Sequence, residues 1–162
     1  MRAQIGMVAH KPLLYENLTA IENLRLFARL YNVPESEARC AVMLERVGLT
    51  KRAGDLVRTF SRGMLQRLAI ARALLHEPEV LLFDEPHTGL DQEAAAMLDA
   101  VVVDQRASGR TVLMATHELE RAARLSSRVV ILARGAVSAD VPSDGMTGAE
   151  LAALYAAKAG AR

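Results

Sequence analysis

Two neighbouring carboxylates, Asp84 and Glu85, follow the apolar run VLLF at residues 80–83. A continuous apolar run of this length is typical of a strand that is covered on both faces. A carboxylate at the end of such a strand can hold a hydrated divalent metal ion, and its neighbour can act as a general base toward water. A solvated strand end before a turn would leave the same pattern, so the pair by itself fits either use.

Ser61 and Gly63 lie in a polar turn, FSRGM at residues 60–64, that leads into a segment with helical periodicity. The free backbone N–H groups at a helix start can bind an anion such as a phosphate. A serine before a helix more commonly serves only to cap that helix. Gly63 weakens the first helical turn by up to about 1 kcal/mol, and a closely approaching ligand is one reason for a glycine there.

His117 follows the apolar run TVLMAT at residues 111–116 and precedes Glu118. A histidine at a strand end is more often an ordinary loop residue. If this strand lies beside the one that ends at Asp84, the imidazole could instead hydrogen-bond a phosphate or the water that attacks it. The order and spacing of these groups along the chain therefore point to phosphate chemistry.

The elements that must position these groups can be predicted from periodicity, capping residues and turns. Strands are predicted at residues 4–9, 80–83, 111–116, 128–133 and 136–140, the last two as a pair turned at Arg134 and Gly135. Helices are predicted at residues 19–31, 35–47, 61–75, 91–106, 118–125 and 149–158, with a loop at 49–60. Alternating strands and helices favour an α/β sheet with crossover helices, interrupted by a helical block.

The composition restricts the class of protein. The 162 residues carry a net charge of +1, which gives no electrostatic footprint for nucleic acid or anionic lipid. The single cysteine, Cys40, excludes an internal disulfide and a cysteine-rich zinc site. No apolar run approaches the roughly 20 residues of a membrane helix, and residues 1–12 lack the pattern of a signal peptide. These features are typical of a cytoplasmic protein.

Taken in order, the motifs resemble those of the nucleotide-binding domain of ABC (ATP-binding cassette) transporters. FSRGM resembles the family's LSGGQ signature, and VLLFDEP at residues 80–86 resembles the Walker B strand with its catalytic glutamate. TGLD at 88–91 resembles the D-loop, ATH at 115–117 the H-switch, and AHKP at 9–12 stands in the place of the Q-loop. The resemblance covers about residues 5–137.

The resemblance implies a P-loop NTPase-like fold, with a mostly parallel sheet and an inserted helical subdomain. Residues 1–162 would form a single partial nucleotide-binding domain. Its helical subdomain would span about 13–75, its remaining α/β core about 76–140, and its C-terminal helix about 149–159.

The resemblance also implies an ATPase subunit that uses ATP and Mg²⁺ to power a membrane permease. In the family two such domains dimerise head to tail, and the signature of one contacts the nucleotide held by the other. The resemblance implies that the signature residues Ser61, Arg62, Gly63 and Met64 contact the γ-phosphate. It implies that Asp84 binds magnesium through water, that Glu85 is the general base and that His117 positions phosphate and water. It also implies that Asp91 bridges the two protomers and that His10 occupies the Q-loop position. The implied location is the cytoplasmic face of the cell membrane, on the permease, with no nucleic acid as partner.

Two departures from the family pattern stand out. His10 occupies the place of the usual glutamine, and imidazole suits the hard magnesium ion poorly. None of the ten glycines is followed by lysine, so the sequence has no P-loop of the Gly-Lys-Ser/Thr type. The sequence therefore resembles an N-terminally truncated cassette that lacks the P-loop strand and helix. We expect such a chain to be marginally folded, to bind no ATP by itself and to be inactive alone.

Other functions fit parts of the pattern. The chain could be a non-catalytic fragment that only lends its signature helix to a partner cassette. An ABC ATPase of DNA repair is disfavoured, because only a compact helical block without sustained heptads separates His10 from Ser61. The SRGM signature and His10 are reminiscent of the haem-exporter ATPases of cytochrome c maturation, although multidrug exporters carry similar signatures.

Overall fold

The computed structural model describes residues 4–9 and 11–159. Its main elements, in chain order, are β1 (Ile5–Val8), α1 (Ala20–Leu30), α2 (Ser36–Arg46), α3 (Arg62–Leu74), β2 (Val80–Asp84), α4 (Gln92–Ala107), β3 (Thr111–Ala115), α5 (Leu119–Leu125), β4 (Arg128–Ala133), β5 (Ala136–Pro142) and α6 (Gly148–Ala159). The chain divides into two compact units, the first ending at Ala115 and the second beginning at Thr116.

The first unit contains a parallel sheet with the strand order β1-β2-β3. In its register Met7 lies beside Leu82, and Leu82 lies beside Leu113. The connection from β1 to β2 contains α1, α2 and α3, and the connection from β2 to β3 contains α4. Helical crossovers between parallel strands are the arrangement that the sequence predicts, so the α/β class is confirmed.

The two faces of this sheet differ in burial. Side chains alternate between faces along a strand, and Val8, Leu81 and Phe83 on one face are at most 2% exposed. On the opposite face Met7 is 44% exposed and Leu113 is 63% exposed. The prediction that the runs 80–83 and 111–116 are buried is therefore wrong for one face of both strands, and on the other face β3 is only half-buried, because an apolar run has the same sequence whether one or two layers cover it.

Helix α3 packs closely on the buried face at Gly6. An added Cβ at this glycine would clash with the carbonyl oxygen of Ala73 and would lie 2.8 Å from side-chain atoms of Leu81 and Pro78. Since the helix backbone itself is in the way, Gly6 lets α3 approach β1 closely. This contact holds the C-terminal end of α3 against β1.

The helices α1, α2 and α3 form a block with its own apolar core. Its fully buried side chains include Leu24, Met43, Leu44, Leu68 and Ile70. Helix α1 begins with the predicted capping box, in which the Glu22 carboxylate accepts a hydrogen bond from the Thr19 N–H at 2.8 Å and the Thr19 hydroxyl accepts one from the Glu22 N–H at 3.3 Å. Local capping and burial of one helical stripe thus agree in this part of the chain.

Residues 49–60, predicted to be a loop, contain two short 3₁₀ turns, Thr50–Arg52 and Val57–Thr59. An isolated antiparallel bridge joins Leu56 to Thr19, and the Val57 N–H donates to the Leu18 carbonyl at 3.0 Å. Because these bonds depend on a distant part of the chain, the local sequence does not reveal them.

The second unit contains α5, α6 and an antiparallel pair formed by β4 and β5. The pair turns at Arg134 and Gly135, which have φ angles of 53° and 79°. Two left-handed residues in a two-residue connection match the right-handed twist of a hairpin, as predicted. A bidentate ion pair between Arg128 and Asp140, with distances of 2.7 and 2.8 Å, joins the two strands. Within residues 4–9 and 11–159, no helix has both the length and the apolar character needed to cross a bilayer.

Candidate functional site

The carboxylates Asp84 and Glu85 lie where β2 ends. Asp84 is exposed and pairs with Ala115 of β3 in the parallel register. Glu85 has a φ of 48°, a left-handed conformation that is rare for a residue with a side chain, and its N–H donates to the Ala115 carbonyl at 2.9 Å. Such a conformation costs about 1–3 kcal/mol and occurs preferentially at functional sites. The sheet therefore holds the proposed base in a strained turn at its carboxyl edge.

The loop that follows, residues 85–91, is ordered by its own hydrogen bonds. The Thr88 N–H donates to the Glu85 carbonyl at 3.2 Å, and the Leu90 N–H donates to the His87 carbonyl at 3.1 Å. The loop ends at Asp91, whose carboxylate caps α4 by accepting from the Ala94 N–H at 2.8 Å. The predicted capping role of Asp91 is thus confirmed, while its predicted bridging role concerns a second molecule.

The signature-like turn lies at the start of α3. Ser61 is the exposed N-cap, and its hydroxyl accepts a hydrogen bond from the Met64 N–H at 3.3 Å. An added Cβ at Gly63 would meet no atom within 4 Å, so packing within the chain does not require a glycine there. Open space over a helix start with exposed N–H groups suits a close contact with an anion.

This turn and the Glu85 loop line one small cavity of the first unit. Its volume is about 60 Å³, and its lining residues are Ala9, Pro12, Arg62, Leu65, Gln66, Glu85 and Thr88. The Gln66 side-chain amide donates to the Pro86 carbonyl at 2.9 Å across the same gap. The structure therefore brings the signature-like turn, the residues beside the Q-loop position and the proposed base to one place.

The roles predicted for His10 and His117 both stay predictions. His10 falls outside the residues that the structure describes, so its proposed role stays a prediction. His117 is exposed and belongs to the second unit, where it is the second residue after β3. The neighbouring Thr116 hydroxyl accepts a hydrogen bond from the Glu118 N–H at 3.1 Å.

The donor set is suited to magnesium only in combination with a phosphate. The described residues contain no group of three or more His, Cys, Asp or Glu side chains that could hold a metal ion by itself. Magnesium keeps several waters and usually takes one or two protein carboxylates together with phosphate oxygens. The exposed Asp84 at the end of β2 fits that mode, because it leaves the remaining positions to water and nucleotide.

Sequence reasoning missed the residues that hold the loop in place. His87 is buried, and its Nε2 lies 2.9 Å from the Asp99 carboxylate on α4. Nothing in the sequence distinguishes this histidine from an exposed turn residue. Gln66 lies one helical turn after Arg62, and this i, i+4 spacing could have indicated that both side chains leave the helix on the same side.

Comparison with known proteins gives the same pattern over most of the chain. A family model described as ABC transporter matches residues 1–88, which is more than half of the chain. A Mycobacterium tuberculosis protein named fluoroquinolones export ATP-binding protein is 39% identical over 142 residues, covering 87% of this chain and 46% of that protein. The chain thus spans about half the length of the curated relatives it matches.

Two solved structures support the same fold. One, described as the ATP binding subunit of an ABC transporter, has a TM-score of 0.85 and 34% identity, over 95% of this chain and 69% of that one. Another, a dimeric post-hydrolysis state of the ATP-binding cassette MJ0796 bound to ADP and Pi, has a TM-score of 0.77 and 29% identity, over 86% of this chain and 63% of that one. The expected P-loop NTPase-like α/β fold is therefore confirmed.

Proposed function

This chain belongs to the ABC transporter family, and we propose that it forms part of an ATP-hydrolysing subunit that powers a membrane permease. The observation that carries the proposal is the cavity shared by the signature-like turn and the Glu85 loop. In the family the Walker B glutamate acts on the nucleotide of its own domain and the signature acts on that of the partner, and in this chain the two motifs lie side by side although more than twenty residues separate them in the sequence. Chance similarity in an unrelated α/β fold would not explain that convergence.

We assign the phosphate-facing roles from accessibility. Ser61 and Gly63 face open space at the start of α3, so both are available to the γ-phosphate of a nucleotide held by a second domain. Arg62 and Met64 complete the turn, and Arg62 adds a positive charge beside it. Anions bind favourably at a helix start, because the unpaired N–H groups and the helix dipole both attract negative charge.

Asp84 and Glu85 are the proposed acidic pair of the reaction. Asp84 would hold magnesium through water, and bound magnesium supplies charge neutralisation at the phosphates. Glu85 would accept a proton from the attacking water, since the end of β2 and the left-handed turn place it beside the cavity. His117 would position phosphate and water, and Asp91 would contact the second domain.

The proposed partners are a second nucleotide-binding domain, arranged head to tail, and a permease that holds the pair at the cytoplasmic face of the membrane. The dimeric, ADP-bound state of a similar cassette supports the first partner and ATP as cofactor. Export is the proposed direction, because the Mycobacterium relative is named for export. The haem-exporter type finds no support in the names of the relatives, so no haem cargo is proposed.

A second candidate function is that of a non-catalytic fragment that lends only its signature helix. It is favoured by one observation, the exposure of Ser61 at the start of α3, where a partner cassette can reach it. In that case Ser61 would be needed for hydrolysis by a partner cassette, whereas Glu85 would not.

Mixing the chain with an intact ABC ATP-binding subunit separates the two functions. The signature serine of the intact subunit is first replaced by arginine, which disables both of its own composite sites. If this chain supplies a working signature, ATP hydrolysis returns on mixing and is lost again with Ser61→Arg. Thr19→Ala, which removes the cap of α1, is the control for a general effect of helix capping.

The outcome with Glu85→Gln completes this experiment. Unchanged rescue supports the lending function, because the rescued site uses the base of the intact subunit. Rescue that also needs Glu85 would contradict the lending function. No rescue by the unaltered chain, when its fold is intact, would falsify the proposed signature role of Ser61.

A further inference from the structure

We propose that Arg62 and Gln66 are positioning residues that fasten the 85–91 loop to the start of α3, so that the signature-like turn and this loop move as one body. Arg62 is the residue at which the turn departs from the family's glycine. The consequence for catalysis rests on the proposed function, whereas the fastening itself is a property of the free chain.

The first fastening point is Gln66. Its side-chain amide donates to the carbonyl oxygen of Pro86 at 2.9 Å, and this bond is partly buried. Pro86 is itself buried and follows Glu85 directly. A bond from α3 to this carbonyl therefore restrains the loop next to the proposed base.

The second fastening point is Arg62. An added Cβ at Gly89 would lie 2.6 Å from Nε, 2.7 Å from Cζ and 2.9 Å from Cδ of Arg62. The guanidinium group thus covers the backbone of Gly89, which adopts a φ of 76° that also favours glycine. Arg62 and Gln66 stand at i and i+4, so one side of α3 holds the loop at both its beginning and its middle.

Other contacts complete the attachment without replacing these two. Arg67 lies 3.4 Å from Glu93 and 3.9 Å from Asp91, but both carboxylates are largely exposed, so these ion pairs add little. On the far side of the loop, His87 lies 2.9 Å from Asp99 of α4. The 85–91 loop is therefore held between α3 and α4, and the contacts from α3 are those of Arg62 and Gln66.

The fastening has a consequence for assembly with a second domain. Ser61 and Asp91 are both proposed to face that domain, one on the turn and one at the end of the loop. When two groups are held in one ordered body before binding, neither has to be ordered when the second domain binds. The fastening would therefore lower the cost of forming both contacts.

Hydrogen exchange of the 162-residue chain, followed by mass spectrometry without nucleotide, tests the fastening. Gln66→Met keeps the size of the side chain and removes its donor, so exchange at the Thr88 and Leu90 amides should rise by about tenfold. Exchange in residues 20–30 should not change. Gln92→Met, an exposed substitution at the start of α4, is the control and should leave the loop unaffected.

A double-mutant cycle tests Arg62, which is exposed and whose replacement is not expected to disturb folding. Gly89→Ala brings a Cβ against the guanidinium and also imposes strain at positive φ. Only the first effect depends on Arg62, so the rise in loop exchange caused by Gly89→Ala should be about tenfold smaller when Arg62→Ala is also present. If Gln66→Met also accelerates exchange in residues 20–30, it destabilises the helical block in general, and the fastening is then tested by this cycle alone.

Additive effects of Gly89→Ala and Arg62→Ala would overturn the proposal for Arg62, and an unchanged loop in Gln66→Met would overturn it for Gln66. Neither result depends on ATP or on a second domain. The fastening can therefore be disproved while Ser61 still rescues hydrolysis in the mixing experiment, and it can be confirmed while Ser61 fails to rescue. In that experiment, fastening predicts that Gln66→Met lowers kcat while the KM for ATP, set by the intact subunit, stays constant. Gln66→Asn, which keeps the donor on a shorter arm, should restore part of kcat.

Discussion

The helical block and the three-stranded sheet of the first unit bury their apolar side chains to very different degrees. In the helical block Leu24 and Leu68 are completely buried, between helices that also carry their own capping signals. In the sheet one face is buried in β1 and β2, but Met7 and Leu113 on the other face are 44% and 63% exposed. Parallel sheets are normally covered on both faces. The helical block is complete as a packed unit, whereas the sheet offers an apolar layer that a further element could cover.

This difference separates two requirements of the proposed site. The signature-like turn belongs to the start of α3, which the helical block supports. The acidic pair belongs to the end of β2, and its support depends on the sheet. We therefore expect the lending of a signature to tolerate a loosened sheet better than a catalytic role would, and the following substitutions probe each region in turn.

The largest effect is expected in the core of the helical block. Leu24→Ala removes a fully buried side chain and leaves a cavity, which should lower the free energy of unfolding by about 2–5 kcal/mol. Leu113→Ala on the exposed face is the matched control and should cost less than about 0.5 kcal/mol. Urea denaturation followed by circular dichroism measures both. Similar losses would show that Leu113 is covered in solution and that the comparison is wrong.

A smaller effect is expected where the helical block meets the sheet. Arg72 of α3 is buried, donates to the Met7 carbonyl at 2.6 Å and lies 5.1 Å from the centre of the Phe27 ring. Arg72→Met should lower the free energy of unfolding by about 1.5–3 kcal/mol, because it removes a hydrogen bond from a charged donor. Arg72→Lys is the control and should recover part of this loss. No loss with Arg72→Met would mean that this hydrogen bond does not help to hold β1 against α3.

Some of this organisation could be predicted from sequence, and the reasons are local. The capping box of Thr19 and Glu22 and the cap at Asp91 were predictable, because each depends on residues three positions apart. The parallel sheet was predictable from the alternation of strands and helices. The exposure of one sheet face was not predictable, because the sequence of a run such as TVLMA does not indicate whether another element packs against it.

The same limit applies to the site. Ser61 as a cap and Asp84 at a strand end were predictable from their neighbours in the chain. The left-handed turn at Glu85 was not, because any residue after a strand can leave it in several ways. The bond from Gln66 to Pro86 joins residues that are twenty positions apart, and they come together only because α3 packs against β1 and β1 pairs with β2.

The stability of the contact between the helical block and the sheet should also depend on pH. His76 stacks on Tyr31 with ring centres 3.9 Å apart, and its Nε2 lies 3.2 Å from the Ile5 carbonyl. Burial lowers the pKa of His76 below its ordinary value of 6.5, with a hydrogen bond to Ile5 opposing and the charge of Arg72 adding to this shift. A histidine whose folded-state pKa is lowered binds more protons when unfolded, so stability is lost as pH falls below about 6.5.

Denaturation of the chain between pH 7.5 and pH 5 measures this effect. We expect stability to fall with acidification across that window, and His76→Phe, which can keep the stacking on Tyr31, should flatten the dependence. The carboxylates Glu22 and Glu150, whose pKa values are lowered by hydrogen bonds from Thr19 and Thr147, contribute only nearer pH 4. If the pH dependence of stability persists unchanged in His76→Phe, a group other than His76 causes it.

The smallest effect on stability, and the sharpest test of the bare face, comes from paired exposed leucines. Leu113 in the sheet and Leu30 in α1 are each 63% exposed, so replacement by lysine should change the free energy of unfolding by less than about 0.5 kcal/mol in either case. Their neighbours differ, because Leu113 lies in an apolar layer beside Leu82 whereas Leu30 ends an amphipathic helix. A contiguous apolar face promotes association, and a charge placed within it opposes association. Sedimentation velocity should therefore show less self-association for Leu113→Lys and no change for Leu30→Lys. Equal self-association of the two variants would mean that the exposed sheet face promotes association no more than an ordinary helix surface does.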